Sequence, residues 1–333
     1  FHFFRTITAE KNFLMELQRL LFLITIAGTL VALLAGYFLS NRILQPIRNL
    51  TQTARKIEVE RMDKRIEVPP AQDELSELAL TFNHMLDRLE RGFNQQQRFV
   101  SDASHELRTP VTVILGYSDL LARWGRSDAK ILEEGITSIR SEAEDMQDLI
   151  EKLLFLARAD QKRQILHKDF VHLDELVDDA VRKMKLVAKE HTVQIAVNDP
   201  GIIYADPATM RQMMRIFLEN AVKYTPAGGH IAVSSRRLPE KGCMELTFAD
   251  DGIGIAQEDK DKIFERFYRA DSARTKKAGS IGGTGLGLSI ASWIAEQHEI
   301  EIAVESELDK GTKFILTIPL AEDDERDTSD KEG

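Results

Sequence analysis

Ser101 to Pro110 reads SDASHELRTP, and four of its residues could do chemistry together. His105 offers a nitrogen nucleophile near neutral pH. Glu106, its neighbour, could take or orient a ring proton and leave the other nitrogen free to attack. Thr109 lies four residues on, hence on the same face of a helix. Pro110 removes one backbone donor and leaves the carbonyl of Glu106 without its helical partner, which predicts a bend beside the histidine. Val100, Ala103 and Leu107 fall largely on another face, so His105 should point to solvent. A nucleophile on an exposed helix has no pocket of its own, and its substrate must be held elsewhere.

Three later stretches could hold one. LENAVKYTP places Asn220, Lys223 and Tyr224 near the end of an amphipathic helix: an amide oxygen for a hard cation, a charge for phosphate, a ring for a base. Taken singly, it could equally be a polar helix end. DDGIGI puts Asp250 at the end of an apolar strand, before Gly252 and Gly254, where the backbone can approach a ligand closely. A plain Asp-Gly turn would look the same. GGTGLGLSI opens a helix with Gly282, Gly283, Gly285 and Gly287, and backbone N–H groups at a helix start suit phosphates. No GK[ST] follows, so it is no P-loop, and no strand directly precedes it as a dinucleotide fingerprint requires.

The elements that must position these residues are legible as periodicities. Leu75, Leu78, Phe82, Met85 and Leu89 step by three and four, as a bundle seam does. After a break at RWGRSD, Leu132, Ile136, Ile139, Ala143, Met146, Ile150, Leu153 and Ala157 continue as a heptad seam. Two such helices form an antiparallel hairpin whose seam lacks a cover, which predicts a homodimeric four-helix bundle. Beyond about Leu166 the heptads stop. Strand-like HIAVSSRRL, CMELTFAD, EIAVES and KFILTIPL then alternate with helical runs at Pro207–Tyr224 and Thr284–His298, an α+β pattern.

Leu20 to Leu39 carries no charge over its whole length. At about 1.5 Å per residue it spans roughly 30 Å, the thickness of a bilayer core. Arg42, Arg48, Arg55 and Lys56 follow it, against Lys11 and Arg19 before, a bias that puts the C-terminal side in the cytoplasm. Phe1 rather than Met at the start predicts a preceding part, with residues 1–19 the end of an extracytoplasmic region. The net charge of −10 argues against a nucleic-acid binder, which needs a basic face. The single cysteine, Cys243, excludes an intrachain disulfide framework and a cysteine-built metal site, and its apolar run predicts a buried thiol.

Together, and in this order, the stretches resemble the boxes of the sensor histidine kinase family. SHELRTP looks like the H box; LENAVKYTP, DDGIGI, IFERFYRAD and GGTGLGLSI look like the N, G1, F and G2 boxes. The segment with Pro46 and DELSELALTFNHM resembles a HAMP linker. The resemblance implies a multidomain chain: a transmembrane helix, a helical HAMP linker and a dimeric four-helix bundle, then an α+β GHKL (Bergerat) sandwich. The implied division is 1–19 extracytoplasmic, 20–39 transmembrane, 40–92 HAMP, 93–162 dimerisation and histidine phosphotransfer, 163–320 ATP-binding, and 321–333 a disordered acidic tail.

By the same resemblance His105 is the phosphoacceptor, with Glu106 as base or orienter. Thr109 completes an HELRT phosphatase motif acting on a response regulator receiver domain. ATP and Mg2+ are the implied cofactors and the bacterial plasma membrane the implied location. Asp250 would bind the adenine amino group, Asn220 would ligate magnesium, and Lys223 and Tyr224 would flank the nucleotide. Gly252 and Gly254 would shape the base pocket. Gly283, Gly285 and Gly287 would admit the phosphates, with Thr284 and Leu286 between them in the same site. Phe264 and Phe267 would anchor a lid, RADSARTKKAGSIGG, and Arg269 would reach phosphate or pack that lid. One departure is Ile216, where many members of the family carry a second asparagine one turn before the magnesium ligand. Two other classes share part of this pattern. GHKL ATPases of chaperone or topoisomerase type lack the membrane span and the SHELRTP helix, and a scaffold with a degenerate kinase domain would lack usable side chains in the boxes.

Overall fold

The computed structural model describes residues 2–40, 65–66, 68, 74–125, 128–161, 163–270 and 283–321. Pro46, Pro69, Pro70, most of the lid and the acidic tail beyond Ala321 lie outside these. The chain divides into two units, Phe1–Arg98 and Phe99–Gly333.

In the first unit, helix α1 (His2–Leu39) is continuous. Its apolar part, Phe13–Leu39, has a mean hydropathy of 2.3 and no buried residue, and is long enough to cross a membrane. The apolar stretch thus begins before Leu20, because the charges of Glu16 and Arg19 interrupt the sequence run without ending the helix. Helix α2 (Glu74–Trp124) begins in this unit. Arg65 pairs with Asp87 at 2.7 Å and with Glu90. Asn83 clamps the backbone of Ile66 through two 2.9 Å bonds, its Oδ1 accepting from the N–H and its Nδ2 donating to the carbonyl. The buried face is therefore Ser76, Ala79 and Leu86 against Ile66. Of the seam expected from spacing, Leu78, Met85 and Leu89 are exposed in the single chain.

In the second unit, the rest of α2 pairs with α3 (Ala129–Asp160) as the expected hairpin. Asp128 caps α3 by accepting from the N–H groups of Lys130 and Ile131. The helices approach so closely at Gly135 that a Cβ there would lie 2.8 Å from the Leu121 side chain. Of the predicted heptad seam, Leu132, Ile136 and Ile150 are exposed. Gly135, Leu149, Leu156 and Ala159 carry the burial instead. The helix runs through Pro110 without interruption, and Pro110 itself is buried.

The remainder is a two-layer sandwich. A small antiparallel pair, β1 (Asp169–His172) with β3 (Ile202–Ala205), flanks a five-stranded sheet. That sheet consists of β2 (Thr192–Asn198), β4 (His230–Leu238), β5 (Cys243–Asp250), β6 (Glu301–Glu307) and β7 (Gly311–Pro319). Its order is β2-β4-β5-β7-β6, with only the β2–β4 pair parallel. Helices α4 (Leu173–Val187), α5 (Pro207–Tyr224) and α6 (Gly287–Gln297) form the second layer. Asp206 starts α5 by accepting from Ala208 and Thr209 N–H at 2.9 Å, with Pro207 preset for the first turn. Met210, Met213, Met214, Phe217, Leu218 and Ala221 then recur at steps of three and one, which turns one face of α5 inward. Phe217 stacks on Phe248 at 5.3 Å and meets Phe314 at 5.0 Å, joining helix to sheet. Cys243 is buried, as its apolar run predicts.

Candidate active site and its phosphoacceptor helix

The N-box helix, the Asp250 turn and the glycine-rich helix start are brought together by close contacts at glycines, to backbone at Gly252 and Gly285 and to side chains at Gly283 and Gly287. A Cβ on Gly252 would lie 2.4 Å from the carbonyl of Tyr224, whose oxygen accepts from Ile253 N–H at 3.1 Å. A Cβ on Gly283 would lie 1.8 Å from Lys223 Nζ, and one on Gly287 would lie 3.3 Å from Ile216. Gly285, at φ +67°, accepts from Phe267 N–H at 3.0 Å. That left-handed turn holds α6 back to Gly287, three residues later than the helical run read from Thr284. Leu286 caps the turn from inside the core.

Asp250 sits at the end of β5 with one oxygen used and one free. Its Oδ1 accepts from Gly252 N–H at 2.9 Å and from Thr312 N–H at 3.3 Å. Burial pushes the carboxyl up to about 6, against those two N–H donors and with help from the Asp251 charge. Thr312 comes from β7, where the register pairs it with Asp250. No local signal in the sequence points to it. Neither does one mark Gly311, whose φ of +103° puts a hypothetical Cβ 1.9 Å from the Asp250 carbonyl oxygen. We expect Gly311→Ala to lower the melting temperature clearly more than Gly242→Ala. Gly242 also has a positive φ, but nothing lies within 4 Å of its Cβ position. Strain alone costs about 1 kcal/mol, and the backbone clash should at least double that. Equal thermal shifts in the two variants would show that the strand end yields freely.

At the other end, Lys223 lies against Gly283 with its ammonium 5.0 Å from the Tyr224 ring centroid. Burial first, then the charges of Arg269 and Lys152, bring it down to about 8. Burial also raises the Tyr224 phenol. The Nδ2 of Asn220 is buried without a hydrogen-bond partner. Ile216 is buried beneath the start of α6, so apolar packing takes the place of a second amide. No cluster of three or more His, Cys, Asp or Glu suited to a metal occurs among the described residues. The unpaired group is an NH2 donor, which suits a phosphate or water oxygen; a divalent cation would be taken by the amide oxygen of Asn220. Phe264 and Phe267 pack on the core beside the lid. Gly254 sits at φ +69° against the Glu307 carbonyl. Thr284 is partly buried between Gly283 and Gly285.

His105 stands apart from this site. It is exposed and lines a shallow groove of about 300 Å3 with Arg108, Thr109, Thr112 and Val113. Thr109 hydroxyl donates to the His105 carbonyl at a long 3.5 Å, so it is nearly free for another partner. Thr112 donates to Arg108 at 2.9 Å. Glu106 is partly buried beside the histidine.

Comparison with known proteins follows the same division. Residues 38–91 match the HAMP domain, 95–162 the His Kinase A (phospho-acceptor) domain, and 205–322 the histidine kinase-, DNA gyrase B- and HSP90-like ATPase. The sensor histidine kinase YkoH of Bacillus subtilis is 37% identical over 310 residues, covering 93% of this chain and 66% of that protein. The signal transduction histidine-protein kinase ArlS of Staphylococcus aureus is 34% identical over 290 residues, 87% of this chain and 63% of that protein. The chain thus spans just under two thirds of the length of these relatives. Among solved structures, full-length ShkA in complex with AMPPNP shares 26% identity at a TM-score of 0.50, over 68% of this chain and 46% of that one. The Acinetobacter baumannii histidine kinase AdeS shares the fold, at 20% identity and a TM-score of 0.50, over 66% of this chain and 98% of that one. With three family models in the expected order and relatives matched along nearly the whole of its length, the chain belongs to the two-component sensor histidine kinases.

Proposed function

We propose that this protein is a membrane-anchored histidine kinase that moves the γ-phosphoryl group of ATP to His105 and then to an aspartate of a response regulator receiver domain. The observation that carries the reading is the pairing of an exposed, groove-lining His105 with a separate site whose glycine contacts assemble Asp250, Tyr224 and Lys223. The free oxygen of Asp250 accepts from the adenine amino group. Tyr224 covers the base, and Lys223, Arg269 and the N–H groups from Gly283 to Gly287, with Thr284 and Leu286 between them, face the phosphates. Asn220 would hold Mg2+ through its amide oxygen, and the ion would supply neutralisation of charge on those phosphates. The AMPPNP bound by ShkA supports this nucleotide assignment.

In the transfer, the neutral imidazole attacks phosphorus in line, an N–P bond forms as the bond to the ADP oxygen breaks, and Glu106 orients or receives the second ring proton. Because the two sites are separate, one domain must move onto the other for reaction. The exposed seam residues Leu132, Ile136 and Ile150 fit a homodimer of hairpins, and α1 fits a membrane anchor with the kinase on the cytoplasmic side. The direct test is incubation of the full chain with γ-labelled ATP. Label that is acid-labile and base-stable supports phosphohistidine, and ATP hydrolysis without label on the protein would favour a simple GHKL ATPase.

Thr109 separates two activities. Attack by His105 needs no hydroxyl one turn on, whereas regulator dephosphorylation needs a group that holds water in line. Thr109→Ala should keep most autophosphorylation and slow decay of the phosphorylated regulator roughly ten- to a hundredfold, the worth of one positioning hydrogen bond of about 1–3 kcal/mol. If both activities shift together, Thr109 merely tunes the helix at Pro110.

A further inference from the structure

The nucleotide module is fastened to the helical hairpin by a small set of contacts near the end of α3. Phe155 of α3 meets Trp293 of α6 edge-on at 5.2 Å. Asp160, the last residue of α3, accepts two bonds from the Arg266 guanidinium, at 2.6 and 2.7 Å. The same guanidinium lies 5.6 Å from the Phe99 ring of α2, and Phe99 meets Phe267 at 5.9 Å. Arg266 therefore grips both helices of the hairpin at once, with its side chain only 19% exposed. A two-pronged pair held in this way has a defined geometry that a loose surface pair lacks.

These contacts hold the module where it does not serve His105. His105 lies six residues beyond Phe99, about 9 Å along an ideal helix and about 120° around it. Its groove is lined by Arg108, Thr109, Thr112 and Val113, all from α2, with no described residue of the module among them. Direct attack on phosphorus needs the reacting atoms about 3–3.5 Å apart. The latch region also carries strain. Phe267 has a φ of +61°, a left-handed conformation that a bulky residue keeps only when its surroundings impose it. Two contacts impose it: the ring against Phe99, and the N–H donated to the Gly285 carbonyl at 3.0 Å. Undocking removes the first and lets the residue relax, so the strain favours release.

We propose that Arg266 is the latch of a resting state: its grip on Asp160 and Phe99 parks the nucleotide module on the hairpin, and autophosphorylation requires that grip to open. The proposal rests on the histidine kinase reading above and adds the contact that restrains the reaction. The latch is weak enough to be opened. Asp160 is 46% exposed, so solvent screens the ion pair, and the ring contacts add only modest attraction. A small bias of this kind shifts the population of docked and released forms without locking either.

The test follows labelling of the full chain in lipid nanodiscs by γ-labelled ATP. Asp160→Asn and Arg266→Ala should each raise the initial rate roughly three- to tenfold and leave ATP affinity within about twofold. Arg266→Lys keeps the charge without the two-pronged geometry and should fall between Arg266→Ala and the unaltered chain. Trp293 reports docking without any chemistry. The chain has two tryptophans, so in a Trp124→Phe background Trp293 emits alone. Its emission should move to longer wavelength in Asp160→Asn, as Phe155 leaves it and water replaces the ring. Labelling that is unchanged in both variants, or slower in either, overturns the proposal, and slower labelling would make the docked arrangement the productive one. Unchanged Trp293 emission in Asp160→Asn overturns it as well. Absence of label from the unaltered chain and both variants alike overturns the kinase reading itself.

Discussion

His105→Gln is expected to abolish autophosphorylation while leaving ATP affinity within about twofold of the unaltered protein. Glutamine approximates the length and polarity of the side chain but offers no basic nitrogen lone pair to attack phosphorus. The position is exposed and lines a surface groove, so the exchange should change stability by no more than about 0.5 kcal/mol. None of the described contacts joins His105 to Asn220, Lys223 or Asp250, which is why binding should survive. The measurement is label transfer from γ-labelled ATP beside a nucleotide titration on the same preparation. Persistent acid-labile label in the variant would move the phosphoacceptor to another histidine. A collapse of ATP affinity would mean that the two sites are more closely linked than their separation suggests.

The second large effect is expected at Asp250. Asp250→Asn keeps the shape and retains an oxygen for the N–H groups of Gly252 and Thr312, so the strand end should remain folded. The group facing the base becomes an NH2 donor, however, and meets the adenine amino group donor to donor. A site that must leave buried donors unpaired discriminates strongly, and ATP affinity should fall at least a hundredfold, about 3 kcal/mol. A melting curve within 2–3 °C of the parent would confirm that the loss is local. Retained ATP affinity would mean that the adenine is read elsewhere.

The same geometry sets a pH window for the unaltered protein. With Oδ1 engaged by two N–H donors, a proton on Asp250 would sit on the oxygen that faces the base and weaken its acceptance of the amino group, and the pKa without ligand is raised to about 6. Affinity should therefore be full above that value and fall as pH drops below it. Lys223 is lowered to about 8, so its charge is present below that pH and lost above it. ATP affinity should be greatest between about 6 and 8 and decline on both sides. The acid limb should disappear in Asp250→Asn, which has nothing to protonate there.

What the sequence determined by itself was the chemistry and the local elements. The helix from Pro207 to Tyr224 was legible because its apolar residues recur at helical spacing and its start is marked by Pro207. Asp250 could be placed at a strand end because CMELTFAD alternates and then meets glycine. His105 could be placed toward solvent because the apolar residues around it fall on another face. Each of these judgements needs only neighbours within one or two turns.

The tertiary structure decided whatever depends on register between distant strands and on which helical face finds a partner. Strands β1, β2 and β3 and helix α4 escaped the periodicity reading. The exposed faces of β1 and β3 carry Phe170, Ile202 and Tyr204, so hydrophobicity there does not report burial. The Thr312 N–H reaches Asp250 only because β7 pairs with β5 in one register, and a slip of one residue would set a different backbone group opposite the carboxylate. The seams at Leu78, Met85, Leu132 and Ile136 were read correctly as apolar stripes, but the single chain buries Ala79, Leu86, Gly135 and Leu149 instead. Periodicity marks which residues share a stripe and not what covers it, so both stripes could be recognised while only the packed chain showed which was occupied. The docking of α3 is the extreme case: Phe155 with Trp293 and Asp160 with Arg266 hold the hairpin to the nucleotide module. Those contacts join residues more than a hundred positions apart, beyond the reach of any local rule.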